Sequence, residues 1–174
     1  MPLRDSAGSL AWTKPERLAL LIFIAAMLVS LFVMVLPWYD PLRDGSIYIG
    51  LSRSLLAGDG YSYLGVPFVL RPPGLSLLIA PVLALWGTDF YALNLYISLF
   101  GILALALLFV HQRQRLGASL ALLCCAALWL NPGYQRLCNT VMSDMPGFAL
   151  LMLCLLTERW AAARPSWQRE LILG

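Results

Sequence analysis

The sequence predicts an all-α polytopic membrane protein, with four transmembrane helices and two juxtamembrane helices in the first external loop. Composition is the first observation behind that class. Of 174 residues, 60% are hydrophobic and 12% charged, and the mean hydropathy is +0.77. A soluble domain of this size needs far more polar surface to cover its core. The second observation is spacing: apolar runs of membrane-spanning length alternate with short polar segments rich in Pro, Gly and charge. The third is charge placement. The net charge is only +3, and Lys and Arg sit near the ends of apolar runs, with no basic cluster interleaved with aromatics. That pattern belongs to membrane topology, and no nucleic-acid partner is expected.

Residues 1–17 are polar and assigned to the cytoplasm. Leu18–Leu36 is an uncharged run of 19 residues, apolar but for Ser30, enough to cross about 30 Å of hydrocarbon as span 1. A signal peptide would have a shorter apolar region and a small-residue cleavage site after it. Met34-Val-Leu-Pro-Trp38 follows instead, so the run reads as an uncleaved anchor with Trp38 and Tyr39 at the interface.

Residues 37–90 form the first external loop. Asp44–Leu56 is weakly amphipathic and too short and polar to span, so an interfacial helix is expected over about 44–58, capped by Gly58. Gly58-Asp-Gly60 signals a turn, and Tyr61–Val69 can run extended. Arg71-Pro-Pro-Gly74 stops a preceding helix and starts a new one. The second interfacial helix is therefore expected over about 72–86; only 12 residues lie between Leu75 and Trp86, and Pro81 interrupts them.

Span 2 covers 91–110, followed by a cytoplasmic turn at 111–116 with His111, Arg113 and Arg115. Span 3 covers 117–130 and ends at Asn131-Pro-Gly133; residues 131–144 form the second external loop, and span 4 covers 145–163. The tail from Trp167 to Gly174 resembles the approach to a further span, so the chain is expected to be the amino-terminal module of a larger membrane protein.

Charge bias sets the orientation. If 75–86 does not cross, eight cations (Arg4, Lys14, Arg17, Arg113, Arg115, Arg159, Arg164, Arg169) lie in the cytoplasm and four (Arg43, Arg53, Arg71, Arg136) outside. A crossing would invert the count, against the positive-inside rule. The favoured orientation also brings the Asp44 loop and the Asp144 loop to one external face.

Asp44 and Tyr48 share a face if 44–58 is helical. A carboxylate there can serve as general base toward a hydroxyl, or simply as a helix N-cap. Arg71, held by Pro72-Pro73, can grip a phosphate with its fork, or snorkel to ordinary headgroups. Asp144, beside Ser143 and Pro146, reads as an N-cap or as an acid that orients substrate or binds a divalent cation. Arg136 and Asn139 lie in the same loop. His111 reads as an interfacial residue. Cys124, Cys125, Cys138 and Cys154 fit neither a zinc nor a disulfide spacing and read as packing residues. No nucleotide-binding, serine-hydrolase or zinc-protease motif is present.

The order Asp44-x-x-x-Tyr48, Leu55-x-x-Gly58-x-Gly-Tyr61, Arg71-Pro-Pro-Gly-Leu-x-Leu-Leu, then Asn131-Pro and Ser143-Asp-Met-Pro146, resembles the amino-terminal module of GT-C class polytopic glycosyltransferases. It is similar to the protein O-mannosyltransferase and lipid A aminoarabinose transferase superfamily, over roughly residues 15–174. The resemblance implies transfer of a sugar, with inversion, from a polyprenyl-phosphate carrier to a lipid, glycan or protein acceptor at the external face of a bacterial inner membrane. It implies Asp44 as the base, Arg71 on a phosphate, Tyr48, Arg136 and Asp144 as substrate-binding residues, and Asp144 as the ligand where a divalent cation is used. Two positions depart from the family pattern. Arg71 stands where many members have Lys or His, which keeps the charge. Gly45 stands where an acid often follows the Asp, which removes a metal ligand. The competing class is a non-enzymatic polytopic protein, a transporter fragment or assembly subunit, whose charges would lie at mid-membrane. The acids here sit at helix ends.

Overall fold

The computed structural model describes residues 13–38 and 44–163. Arg4, Tyr39, Arg43, Arg164, Arg169 and the tail from Trp167 lie outside the described residues. The described chain forms seven helices and one short hairpin: α1 (Lys14–Met34), α2 (Gly45–Ala57), β1 (Ser62–Tyr63), β2 (Val66–Pro67), α3 (Gly74–Trp86), α4 (Phe90–Leu116), α5 (Ala118–Trp129), α6 (Pro132–Cys138) and α7 (Asp144–Ala163).

Three of these are long and apolar enough to cross a membrane: α1, α4 and α7. At 1.5 Å per residue their 21, 27 and 20 residues give about 31, 40 and 30 Å. Their outward faces are apolar, including Leu21, Val29, Phe32 and Val33 on α1 and Leu150 and Leu151 on α7. Faces of that size are covered by lipid in an integral membrane protein. The expected third span is α5, whose 12 residues reach only about 18 Å.

Local chemistry sets the helix ends. The first helix starts four residues before its apolar run, because Thr13 and Glu16 form a capping box with Pro15 in the first turn. It ends at Met34, with Val35 already extended (ψ 123°) two residues before Pro37; proline disfavours helical backbone before it. Gly58, at φ 84°, closes α2 in the left-handed region. Asp89 caps α4, its carboxylate accepting from the Tyr91 and Ala92 amides at 2.8 and 3.3 Å.

The packing has two ends. At one, Arg113 of α4 pairs with Glu16 of α1 at 3.1 Å, and Arg159 of α7 donates to the His111 carbonyl at 2.8 Å and to Gln114. At the other, α2 packs on α3, and α3 lies against the start of α4. The Ser52 hydroxyl, fully buried, donates to the Ser76 carbonyl at 2.7 Å, and Arg53 donates to Thr88. Leu75, Ile79, Val82 and Leu83 of α3 join Leu93 and Ile97 of α4, Met27 and Leu31 of α1, and Tyr48 and Ile49 of α2 in one core. Among the described cations, Arg113 and Arg159, with Lys14 and Arg17 flanking Glu16, gather at the first end, and Arg53 lies at the second.

The second loop is not all loop. Residues 132–138 form α6, started by Asn131, which caps the Gly133 and Tyr134 amides at 2.8 and 3.2 Å, with Pro132 in the first turn. This helix docks against the middle of α4. The Tyr134 hydroxyl donates to the Gly101 carbonyl at 2.7 Å, and Ser98 donates to the Cys138 carbonyl at 3.0 Å. Burial pushes the Cys138 thiol up to about 12, as expected of a packing cysteine.

Candidate functional site

The candidate site grows from the exit of α1. Its last residues leave the apolar bundle with backbone groups that no helix can satisfy, and two asparagines take them up. Asn94 of α4, 1% exposed, donates to the Leu36 and Trp38 carbonyls at 2.9 and 3.1 Å. Asn139, just past α6, accepts from the Leu36 amide at 2.7 Å and donates to the Gln135 carbonyl at 3.0 Å. The exit of α1 and the 131–143 segment are thereby tied together. Replacing Asn94 by Leu strands two carbonyls, a cost of about 1–3 kcal/mol. Faster hydrogen exchange around residues 36–38 is the expected readout. Unchanged exchange there would mean that the asparagine does not hold the exit.

Beyond that exit, Asp44 begins α2. Its carbonyl accepts from the Ile47 and Tyr48 amides, but its carboxylate caps nothing. The carboxylate is paired instead with the Arg71 guanidinium, 27 residues later in sequence. The ordinary N-cap role for Asp44 is therefore not the one the side chain plays. Both members of the pair are open to solvent, with side chains 37% and 42% exposed. A small molecule can reach either one.

The hairpin brings the pair together. It folds back onto α2, where Gly50 makes room for it: a Cβ at that position would lie 2.7 Å from Cε2 of Tyr63. The Ser54 hydroxyl donates to the Gly60 carbonyl at 2.9 Å and lies 2.6 Å from the Ser62 hydroxyl, closing the base. Tyr61 then donates to the carbonyls of Arg71 and Pro72 at 3.1 and 3.2 Å. With Pro72 and Pro73 limiting the backbone, this bond presents the guanidinium to Asp44. Tyr61 is thus a positioning residue that the pattern of types alone does not single out.

The remaining candidates are placed differently. Tyr48 is 5% exposed and packs in the apolar core. Asp144 is exposed in the first turn of α7, and Arg136 is exposed on α6. Among the described residues, no group of three His, Cys, Asp or Glu side chains comes together as a cation cage. The chemistry on hand is an accessible carboxylate, an accessible guanidinium, and a backbone that fixes one against the other. No family model, no curated protein and no solved structure matches the chain.

Proposed function

We propose that the chain is the amino-terminal module of a membrane glycosyltransferase that moves a sugar from a polyprenyl-phosphate carrier to a hydroxyl acceptor. In this reading the pair works at the external face of a bacterial inner membrane, with α5 completing a fourth crossing and α2 and α3 lying at the bilayer surface. The observation that carries the reading is the Asp44–Arg71 pair: a carboxylate left free of its own helix and held on a proline-fixed guanidinium at the mouth of an apolar bundle.

The two side chains divide the work. Arg71 binds the carrier phosphate through charge-assisted hydrogen bonds, and the guanidinium stabilises the charge that grows on that phosphate as the C1–O bond breaks. A phosphate arriving at Arg71 competes with Asp44 for the same N–H groups. Its binding frees the carboxylate to accept the acceptor's hydroxyl proton. Direct displacement with inversion needs one base for the acceptor hydroxyl and no covalent carboxylate intermediate. The carrier reaches the site by lateral diffusion in the bilayer.

Arg71→Gln in the full-length protein is expected to weaken binding of a polyprenyl-phosphate sugar by roughly tenfold to a hundredfold, the equivalent of losing about 1.5–3 kcal/mol of charged hydrogen bonding. Arg71→Lys keeps the charge but loses the fork, and falls between. Donor affinity unchanged in Arg71→Gln would remove Arg71 from the phosphate site and the reading with it.

A further inference from the structure

The hairpin between α2 and α3 has a tip that solves no folding problem of its own. Tyr63 pairs with Val66, so Leu64 and Gly65 form a two-residue turn with both φ values positive, 53° and 80°. Such a turn favours Asn, Asp or Gly at its first position. Leu64 is the only described non-glycine residue with positive φ, a backbone that crowds its Cβ against the following carbonyl. The leucine gains nothing in return from the protein, because it is 88% exposed.

Its neighbours repeat the pattern. Val66, Val69 and Leu70 are also exposed, and no residue from Tyr61 to Leu70 carries a charge. Beneath them the rings of Tyr61, Tyr63 and Phe68 stack edge to face, with centroids 6.3 and 6.0 Å apart. The base is pinned to α2, so the tip projects as a fixed wedge. Exposed Trp38, Leu77, Leu85 and Trp86 belong to the same end of the molecule.

We infer that this tip inserts into the bilayer, seating Leu64, Val66, Val69 and Leu70 at the boundary between headgroups and acyl chains. The inference rests on the chain being an integral membrane protein and not on the glycosyltransferase reading. Taking four large aliphatic side chains out of water outweighs the cost of one strained turn residue. A convex tip of a few residues needs no shape-matched groove in a fluid phase. Its backbone is also suited to shallow entry: the Phe68 amide donates to the Tyr61 carbonyl at 3.0 Å, and Pro67 has no N–H to leave unpaired. The rings at the base match the aromatic belt of the interface. Arg71 follows directly, so the wedge sets the guanidinium at the level of lipid phosphates.

A fluorophore that reports its surroundings, attached to cysteine at position 64 or 69 in the full chain, tests this. Cys124 and Cys154 are exposed and are replaced by Ser; Cys125 and Cys138 are buried and stay unlabelled. In phospholipid vesicles, probes in Leu64→Cys and Val69→Cys are expected to be quenched by lipids carrying a doxyl group high on the acyl chain. They should also be shielded from aqueous iodide by about tenfold relative to a probe in Asp59→Cys, as for an apolar segment seated in the interface. Iodide quenching at both positions equal to that at 59 would place the tip in water. Shielding from both quenchers would mean that protein covers it. Either result overturns the inference, and neither touches the assignment of Asp44 and Arg71.

Discussion

Asp44→Asn in the full-length protein is expected to lower sugar transfer by roughly a hundredfold to ten-thousandfold, the range set by removing a general base. The same substitution is expected to leave the fold intact. The Asp44–Arg71 pair is exposed on both sides, and an exposed ion pair contributes at most about 1 kcal/mol. A loss of turnover that large therefore cannot come from unfolding. A second effect has the opposite sign. With the carboxylate neutralised, phosphate no longer has to displace it from Arg71, so the donor is expected to bind a few-fold more tightly. A purely structural Asp44 predicts neither result. Transfer rate and donor affinity, measured on the same preparation, separate the two. Near-normal transfer by Asp44→Asn would end its assignment as base.

The features that could be anticipated from residue types are those fixed by nearest neighbours. Gly58 and Arg71-Pro-Pro-Gly74 bracket α2 and α3 because a left-handed cap and a proline pair act within one turn of chain. The long apolar runs mark α1, α4 and α7 because each needs only length and hydropathy. The start of the first helix is set by the same kind of signal: Thr13-Lys-Pro-Glu16 is a capping box with a first-turn proline, and it outweighs the start of the apolar run. Asn131-Pro132 is the same kind of signal for α6, easily overlooked because seven residues show no periodicity.

The pairing of Asp44 with Arg71 is a different matter. It depends on a hairpin whose two-residue strands carry almost no pattern, and on Gly50 admitting the Tyr63 ring. Neither residue type nor spacing encodes a contact across 27 residues. Asn94 did leave a trace, as a polar side chain inside an apolar run, which in a membrane protein implies a buried partner. That the partner is the exit of α1 emerges only once the helices pack.

Gly101 carries the second large effect. It lies on α4 where α6 docks, and a Cβ there would sit 2.5 Å from the Cys138 sulfur and 3.5 Å from both the Met145 sulfur and the Tyr134 hydroxyl oxygen. No carbon approaches sulfur that closely without displacement. Helix propensity alone would make Gly101→Ala stabilising by about 0.5–1 kcal/mol. Overpacking costs about 1–3 kcal/mol and reverses the sign. Gly101→Leu is expected to be worse, because it expels α6 and breaks the Tyr134–Gly101 and Ser98–Cys138 hydrogen bonds with it. Cys138→Ala removes the clashing sulfur, so the double variant Gly101→Ala/Cys138→Ala should recover most of the thermal stability lost by Gly101→Ala in detergent. The coupling expected for residues in contact is about 0.5–3 kcal/mol, and strictly additive losses would show that α6 does not seat on Gly101. The consequence reaches the candidate site as well. Asn139 follows α6 directly and holds the Leu36 amide, so a displaced α6 releases the exit of α1 and the chain that leads to Asp44. Gly101→Ala should therefore raise hydrogen exchange at residues 36–38, more than 60 positions away in sequence, and Cys138→Ala should restore it.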